Sequence, residues 1–235
     1  MDRAIIWNAR GVGNSPTMRS LKDLIRTYNP CFIAILELIL REDRRVAIGL
    51  KLRFHSSLSN YEEGGKVWVF HHHSLNITVV NSSDQMLLLS LSLQVLNELT
   101  YISIVYASCN RIQRRTLWRE ISNLASSIRR LWVIGGDFNA VLNANEKLGA
   151  QMADTNSSAD FFEVVQDSSL QDAGFSGNRF TWCNNREGAV RVWARLDRVL
   201  FNICWGAIFS SFQVQHLPTN KSDHAPLLVS FPSNF

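Results

Sequence analysis

The chain has 235 residues, 46% apolar and 19% charged, with only 12 Gly and 5 Pro, so it is not collagen-like, disordered or a flexible linker. Its four cysteines, Cys31, Cys109, Cys183 and Cys204, form no C-x-x-C pair, which argues against a zinc knuckle and fits a reducing compartment. The net charge of +4 is uneven: residues 1 to 130 hold 17 Lys/Arg against 10 Asp/Glu, residues 131 to 235 hold 7 against 10, and 19 of the 24 basic residues are Arg, a composition suited to a polyanion.

The N-terminal residues run directly into an apolar strand pattern over 3 to 8, with no signal-peptide signature. Gly11 and Gly13 then form a turn. Ser15 is expected to cap a helix with Pro16 at its first position and a stripe of Met18, Leu21, Leu24 and Ile25, ending near Tyr28. Asn29-Pro30 stops it, and Cys31 to Leu36 is a second apolar strand. Strand-like runs follow at Leu50 to Ser56, Val67 to His72, Asn76 to Val80, Met86 to Val95 and Tyr101 to Tyr106, with turns at Asn60, Gly64-Gly65, Asn81 to Asp84 and Asn97-Glu98.

A helix is expected from Arg111 to Arg130, a short apolar strand from Leu131 to Gly136, and a helix near Ser158 to Gln166. The last strands are placed at Arg179 to Cys183, Val190 to Phe201, Ser211 to His216 and Pro226 to Phe231. Nothing divides the chain, so residues 1 to 235 read as one α/β (α+β) domain, a two-sheet sandwich flanked by helices. Apolar runs such as Met86 to Leu93 fall short of the roughly 20 residues of a membrane span, so a soluble, intracellular protein, nuclear or cytoplasmic, is expected.

Polar residues at the ends of apolar strands are the candidates for chemistry: Asn8, Glu37, Asp137 with Asn139, and Asp223 with His224. A carboxylate there is costly to bury unless it binds something. Asp137 and Asn139, two apart on an extended segment, would share a face; equally, Asp-x-Asn after Gly-Gly reads as a turn with its own hydrogen bonds. Glu37, the one charge among Ile33 to Leu40, reads as a hard oxygen ligand for Mg²⁺ or as a side chain turned out to water. Asp197 is placed to orient His224, raising the pKa of the imidazole. His71-His72-His73 reads as a solvated strand end rather than a metal cluster.

Taken together, Trp7-Asn8-Ala9-Arg10-Gly11, Glu37, Tyr106, Gly136-Asp137-Phe138-Asn139, Phe180-Thr181-Trp182, Arg195-Leu196-Asp197 and Ser222-Asp223-His224 resemble, in order and spacing, the motifs of the endonuclease/exonuclease/phosphatase family. The likeness is greatest to the endonuclease domain of plant LINE-type (non-LTR) retrotransposons, through Trp7 to Gly13 and Gly174 to Trp182. It implies a DNase I-like four-layer sandwich of two mixed sheets and Mg²⁺-dependent phosphodiester cleavage by an in-line water, with Mn²⁺ as a substitute. Glu37, Asn8 and Asp223 would serve the metal, Asp137 would deprotonate the water, and Asn139 would hold a phosphate oxygen. His224, paired with Asp197, and Tyr106 would stabilise phosphoryl charge. Thr181 would touch the scissile strand, and Arg186 and Arg191, in the hairpin that corresponds to the DNA-probing loop of retrotransposon endonucleases, would contact the duplex.

Departures from the family pattern are Leu38-Ile39 after the metal-binding Glu, Ala107-Ser108 after Tyr106, and Arg10 where repair endonucleases carry an acid. The expectation is a monomeric, active DNA-nicking enzyme, an isolated module of a retrotransposon-type polyprotein. A decayed remnant, or a phosphoesterase acting on RNA or inositol phosphates, is the alternative.

Overall fold

The computed structural model describes residues 2–93, 98–149, 154–209, 212–219 and 222–231. The expected turn at Asn97 and the expected strand end at Val95 lie outside these residues. The first half of the chain contains β1 (Asp2–Asn8), α1 (Ser15–Tyr28), β2 (Phe32–Leu36), α2 (Arg45–Lys51), β3 (Ser56–Ser59), β4 (Val67–His71), β5 (Ile77–Ser82), β6 (Met86–Leu93), β7 (Glu98–Tyr106) and α3 (Arg111–Ser127). The second half contains β8 (Leu131–Asp137), β9 (Lys147–Gly149), α4 (Thr155–Asp167), β10 (Leu170–Asp172), β11 (Ser176–Gly177), β12 (Trp182–Cys183), β13 (Val192–Ala194), β14 (Asp197–Asn202), α5 (Ile203–Ile208), β15 (Gln213–His216) and β16 (Leu227–Phe231).

The strands form a seven-stranded mixed sheet ordered β11-β15-β16-β1-β2-β4-β3, a six-stranded mixed sheet ordered β10-β14-β8-β7-β6-β5, and a small sheet β12-β13-β9. Strand alternation sorts their apolar residues into three cores. Ala4, Ile6, Ala34 and Val69 meet Leu89, Ile102, Ile104 and Val133 between the two large sheets. On the outer face of the first sheet Ile5, Trp7, Ile33 and Phe70 pack with Leu21 of α1 and Ile48 of α2. On the outer face of the second, Trp132, Ile134 and Leu200 pack with Trp118 and Ile121 of α3 and Phe161 of α4. This is the four-layer order of helices, sheet, sheet, helices. No helix among the described residues is long and apolar enough to cross a membrane.

Several local expectations are corrected. Leu50 to Ser56 is not a strand: Ile48 and Leu52, four apart, bury one side of α2, and the strand begins only at Ser56. Asn14, one residue before the expected cap, accepts the N–H of Thr17 at the start of α1. Asp154 caps α4 through the N–H groups of Asn156 and Ser157, so that helix starts earlier than expected. Val190 to Phe201 breaks into β13 and β14 because the chain passes there from the small sheet to the large one. His71 is buried at the end of β4 and His72 lies half-buried against Phe54, while His73 is exposed, so only the last of the three faces water fully.

Gly136 fixes the end of β8. Its φ of +147° and the 2.0 Å that would separate an added Cβ from the Val105 carbonyl oxygen leave room for glycine only. Gly136→Ala is expected to lower stability by roughly 2–3 kcal/mol, read as a reduced urea midpoint.

Candidate active site

Strand ends converge at one rim of the sandwich. β7 and β8 run parallel with Tyr106 beside Asp137, and β14 runs antiparallel to β8 with Asp197 opposite Asp137. On the facing sheet β1 ends at Asn8 beside Leu36, the last residue of β2, so Glu37 emerges next to it. Glu37 has a φ of +57° and Arg10 one of +46°, left-handed conformations that turn the chain out of each strand. The segment Ser222 to His224 is held from three sides. Ser222 donates to the Asn8 carbonyl at 2.8 Å, Trp7 donates to the His224 carbonyl at 3.0 Å, and His224 bridges Trp182 of β12.

At the centre is a buried line of three ionisable groups. His224 Nδ1 lies 2.9 Å from Asp197 Oδ2, and Nε2 lies 3.8 Å from Asp137 Oδ2. Asn8 donates its amide to Asp137 Oδ2 at 2.9 Å, and the Asn139 backbone N–H donates to Asp137 Oδ1 at 2.9 Å. Burial pushes Asp137 up to about 6, against the opposing pull of His224 and two hydrogen bonds. Burial disfavours the imidazolium, but Asp197 and then Asp137 outweigh it and raise His224 to about 9. At neutral pH the site therefore presents an ionised Asp137 beside a protonated His224. Burial, with Glu37 and Asp137 nearby, raises Tyr106, keeping its phenol a hydrogen-bond donor.

Of the two readings of Asp137 and Asn139, the structure has the turn: Asn139 has a φ of +48° and meets Asp137 through its backbone N–H, and its amide donates to the Ala107 carbonyl at 2.8 Å. Thr181 does not face the opening. It is fully buried, and its hydroxyl oxygen accepts the N–H groups of Leu196 and Asp197, each at 3.0 Å, so it positions Asp197. Trp182 is an addition: its indole N–H donates to Asp223 Oδ2 at 2.9 Å. The sequence carries that signal only in its neighbourhood, Phe180-Thr181-Trp182.

Glu37 and Asp223 converge on Arg10. The guanidinium donates from Nε to Glu37 Oε1 at 3.2 Å and from Nη1 to Asp223 Oδ2 at 2.7 Å, while the Arg10 N–H donates to Asn8 Oδ1 at 3.2 Å. Asp223 Oδ1 is sealed from solvent and has no hydrogen-bond partner among the described residues. Two carboxylates gathered on one cation, with an amide oxygen and an orphaned carboxylate oxygen, fit a hard divalent ion such as Mg²⁺. A second grouping, Asp137, Asp197 and His224, brings ligand atoms within 4.8 Å of one another. There His224 already pairs with Asp197 at 2.9 Å.

The hairpin of β12 and β13 stands beside this rim, with Arg186 and Arg191 exposed at its tip and Arg191 Nε donating to the Arg186 carbonyl. On the other flank, a cleft of about 820 Å³ lies between α1 and the segment Ile39 to Lys51, lined by Arg19, Lys22, Arg41, Arg44 and Lys51.

Solved structures share this architecture. The endonuclease domain of TRAS1, a telomere-specific non-LTR retrotransposon, is similar over 100% of both chains with a TM-score of 0.74 at 15% identity. The 3' phosphatase NExo from Neisseria, bound to a product DNA hairpin, is similar over 98% of this chain and 99% of that one, with a TM-score of 0.73 at 15% identity. An AP endonuclease from Archaeoglobus fulgidus is similar over 99% and 100%, with a TM-score of 0.73 at 12% identity. No curated protein matches the chain by sequence. At these identities the likeness is one of fold, the DNase I-like sandwich. The model of the endonuclease/exonuclease/phosphatase family matches residues 5–224, which takes in every strand end at the rim, and the chain belongs to that family.

Proposed function

We propose that the protein is a divalent-metal-dependent endonuclease that nicks one strand of duplex DNA, of the kind carried by retrotransposon-type elements. The observation that carries this reading is the buried line Asp197, His224, Asp137, in which the imidazole lies 2.9 Å from one carboxylate and 3.8 Å from the other. The hydrogen bonds from Asn8 and Asn139 hold both Asp137 oxygens in place, ready to orient a water and take its proton as the water oxygen attacks phosphorus. The phosphodiester bond opposite breaks, and negative charge grows on the phosphoryl oxygens. His224 Nε2 and the Tyr106 hydroxyl would donate to those oxygens. Asp197 keeps the imidazole oriented and charged, and Thr181 holds Asp197. A divalent ion on Glu37, Asp223 and Asn8 would supply Lewis-acid polarisation and offset charge on the departing oxygen.

DNA as the substrate is supported by the five cations of the cleft and by the projecting hairpin with Arg186 and Arg191. The likeness to a described 3' phosphatase favours, as a second reading, a terminal phosphomonoester of DNA. Supercoiled plasmid and a duplex oligonucleotide bearing a 3'-phosphate, each incubated with Mg²⁺, separate the two. Nicked circles without phosphate release support the endonuclease; phosphate release with plasmid untouched overturns it.

The nicking rate is expected to rise through pH 6 as Asp137 ionises and to fall near pH 9 as His224 loses its proton. Asp197→Asn, which removes the largest influence raising His224, should move the alkaline limb to lower pH. An unmoved limb would remove His224 from this role. Both folded pKa values lie above the unfolded ones, so the stability these groups contribute is fully present at low pH. It is lost as pH rises through about 6 and about 9.

A further inference from the structure

Arg10 engages one oxygen of each side chain of the candidate cation site. One guanidinium bridges Glu37 and Asp223, and the same residue's N–H occupies the Asn8 side-chain oxygen. The three partners are unequally buried: the Arg10 side chain is 54% exposed, that of Glu37 18% and that of Asp223 7%. The carboxylates are thus fixed in the wall while the cation reaches them from the solvent side. Two carboxylates drawn this close repel each other unless a positive charge stands between them. Arg10 supplies that charge, and a planar fork can span two acids in a way a point charge cannot. A divalent ion arriving at Glu37 and Asp223 meets the same oxygens already paired. It must break two charge-assisted hydrogen bonds to take them, and the long, half-exposed Arg10 side chain has open solvent to move into.

We propose that Arg10 is an internal counter-ion that holds Glu37 and Asp223 together until a divalent metal displaces it, setting the metal affinity of the site by competition. This rests on the reading of Glu37, Asp223 and Asn8 as the metal cradle. Arg10 is a positioning residue here. Its presence makes the site weaker for metal and more stable without it. The departure at Leu38-Ile39 fits the same arrangement, since Ile39 is exposed beside Gly11 and brings no charge to the carboxylates, leaving that task to Arg10.

Calorimetric titration of the metal-free protein with Mn²⁺, without substrate, tests this. Arg10→Met keeps the length and loses the charge, and is expected to bind Mn²⁺ on the order of tenfold more tightly than wild type, the equivalent of one or two partly exposed ion pairs. Its Tm without metal should be lower and its metal-induced rise in Tm larger. Arg10→Lys, a charge that cannot span both acids, should fall between, and serves if the Met variant does not fold. Glu37→Gln should weaken binding in either background. Equal or weaker Mn²⁺ binding by Arg10→Met, with Glu37→Gln still weakening it, overturns the counter-ion role and leaves the cradle standing. Binding that ignores Glu37, or no binding by any variant, overturns both.

Discussion

Asp137→Asn is expected to lower kcat for plasmid nicking by roughly 10²–10⁴-fold, the usual contribution of a general base. The amide keeps the shape of the side chain and can still accept from Asn139 or Asn8, but it cannot take a proton from water. The fold should not suffer. Asp137 is fully buried, and its pKa of about 6 in the folded protein means that above that pH folding must desolvate a charge. Removing the charge relieves that cost while giving up the attraction to His224, so Tm at pH 8 should be unchanged or raised. A small loss of kcat, or a large loss of both activity and Tm, would mean that Asp137 is structural. A large loss of kcat at constant Tm is the signature of a residue kept for chemistry at some expense of stability.

Arg198→Met should be the most destabilising of the surface-distant charge changes, by about 3–5 kcal/mol, the range for breaking a buried ion pair from one side. Arg198 follows Asp197 on β14, is fully buried, and donates to Asp172 Oδ2 at 2.8 Å and to Glu146 Oε2 at 2.7 Å. Arg195 donates to the other oxygens of the same two acids, at 2.7 and 3.0 Å. The four side chains tie β10, the turn before β9 and the link from β13 to β14 into one unit around Asp197. Burial would raise Glu146 and Asp172, but Arg198 foremost holds both below the usual carboxylate range. Their folded pKa values are depressed, so the network contributes stability above the unfolded carboxylate values and loses it as pH falls through the folded ones. Methionine preserves much of the arginine's volume, so the change isolates the charge. Urea unfolding measures it, and a loss below about 1 kcal/mol would show that water or movement satisfies the two acids without Arg198.

The apolar strands and the end-of-strand polar residues were legible because both depend on local pattern. Phe32 to Leu36 and Leu131 to Asp137 are buried throughout, as parallel-paired central strands must be, and each delivers a carboxylate at or just past its end. Asn8, Glu37, Asp137 and His224 could be nominated from sequence for that reason. Three things were not legible. Arg45–Lys51 was missed as a helix because its 7 residues, with only Ile48 and Gly49 buried, are too short to show a period. The role of Thr181 depends on where the chain crosses between sheets, which its own neighbours do not encode. The capture of Glu37 and Asp223 by Arg10 joins residues 27 and 213 positions apart, a contact that only the folded rim creates.

The central claim is that the Asp137, His224 and Asp197 line, served by a metal on the Glu37 side, hydrolyses a phosphodiester in DNA. The most direct measurement is the conversion of supercoiled plasmid to open circles by wild type and His224→Ala, with Mg²⁺ and again with EDTA. The prediction is nicking by wild type that chelation abolishes, and a rate at least about 10²-fold lower for His224→Ala. Plasmid left intact by wild type in Mg²⁺, or nicked equally by the variant, would contradict it.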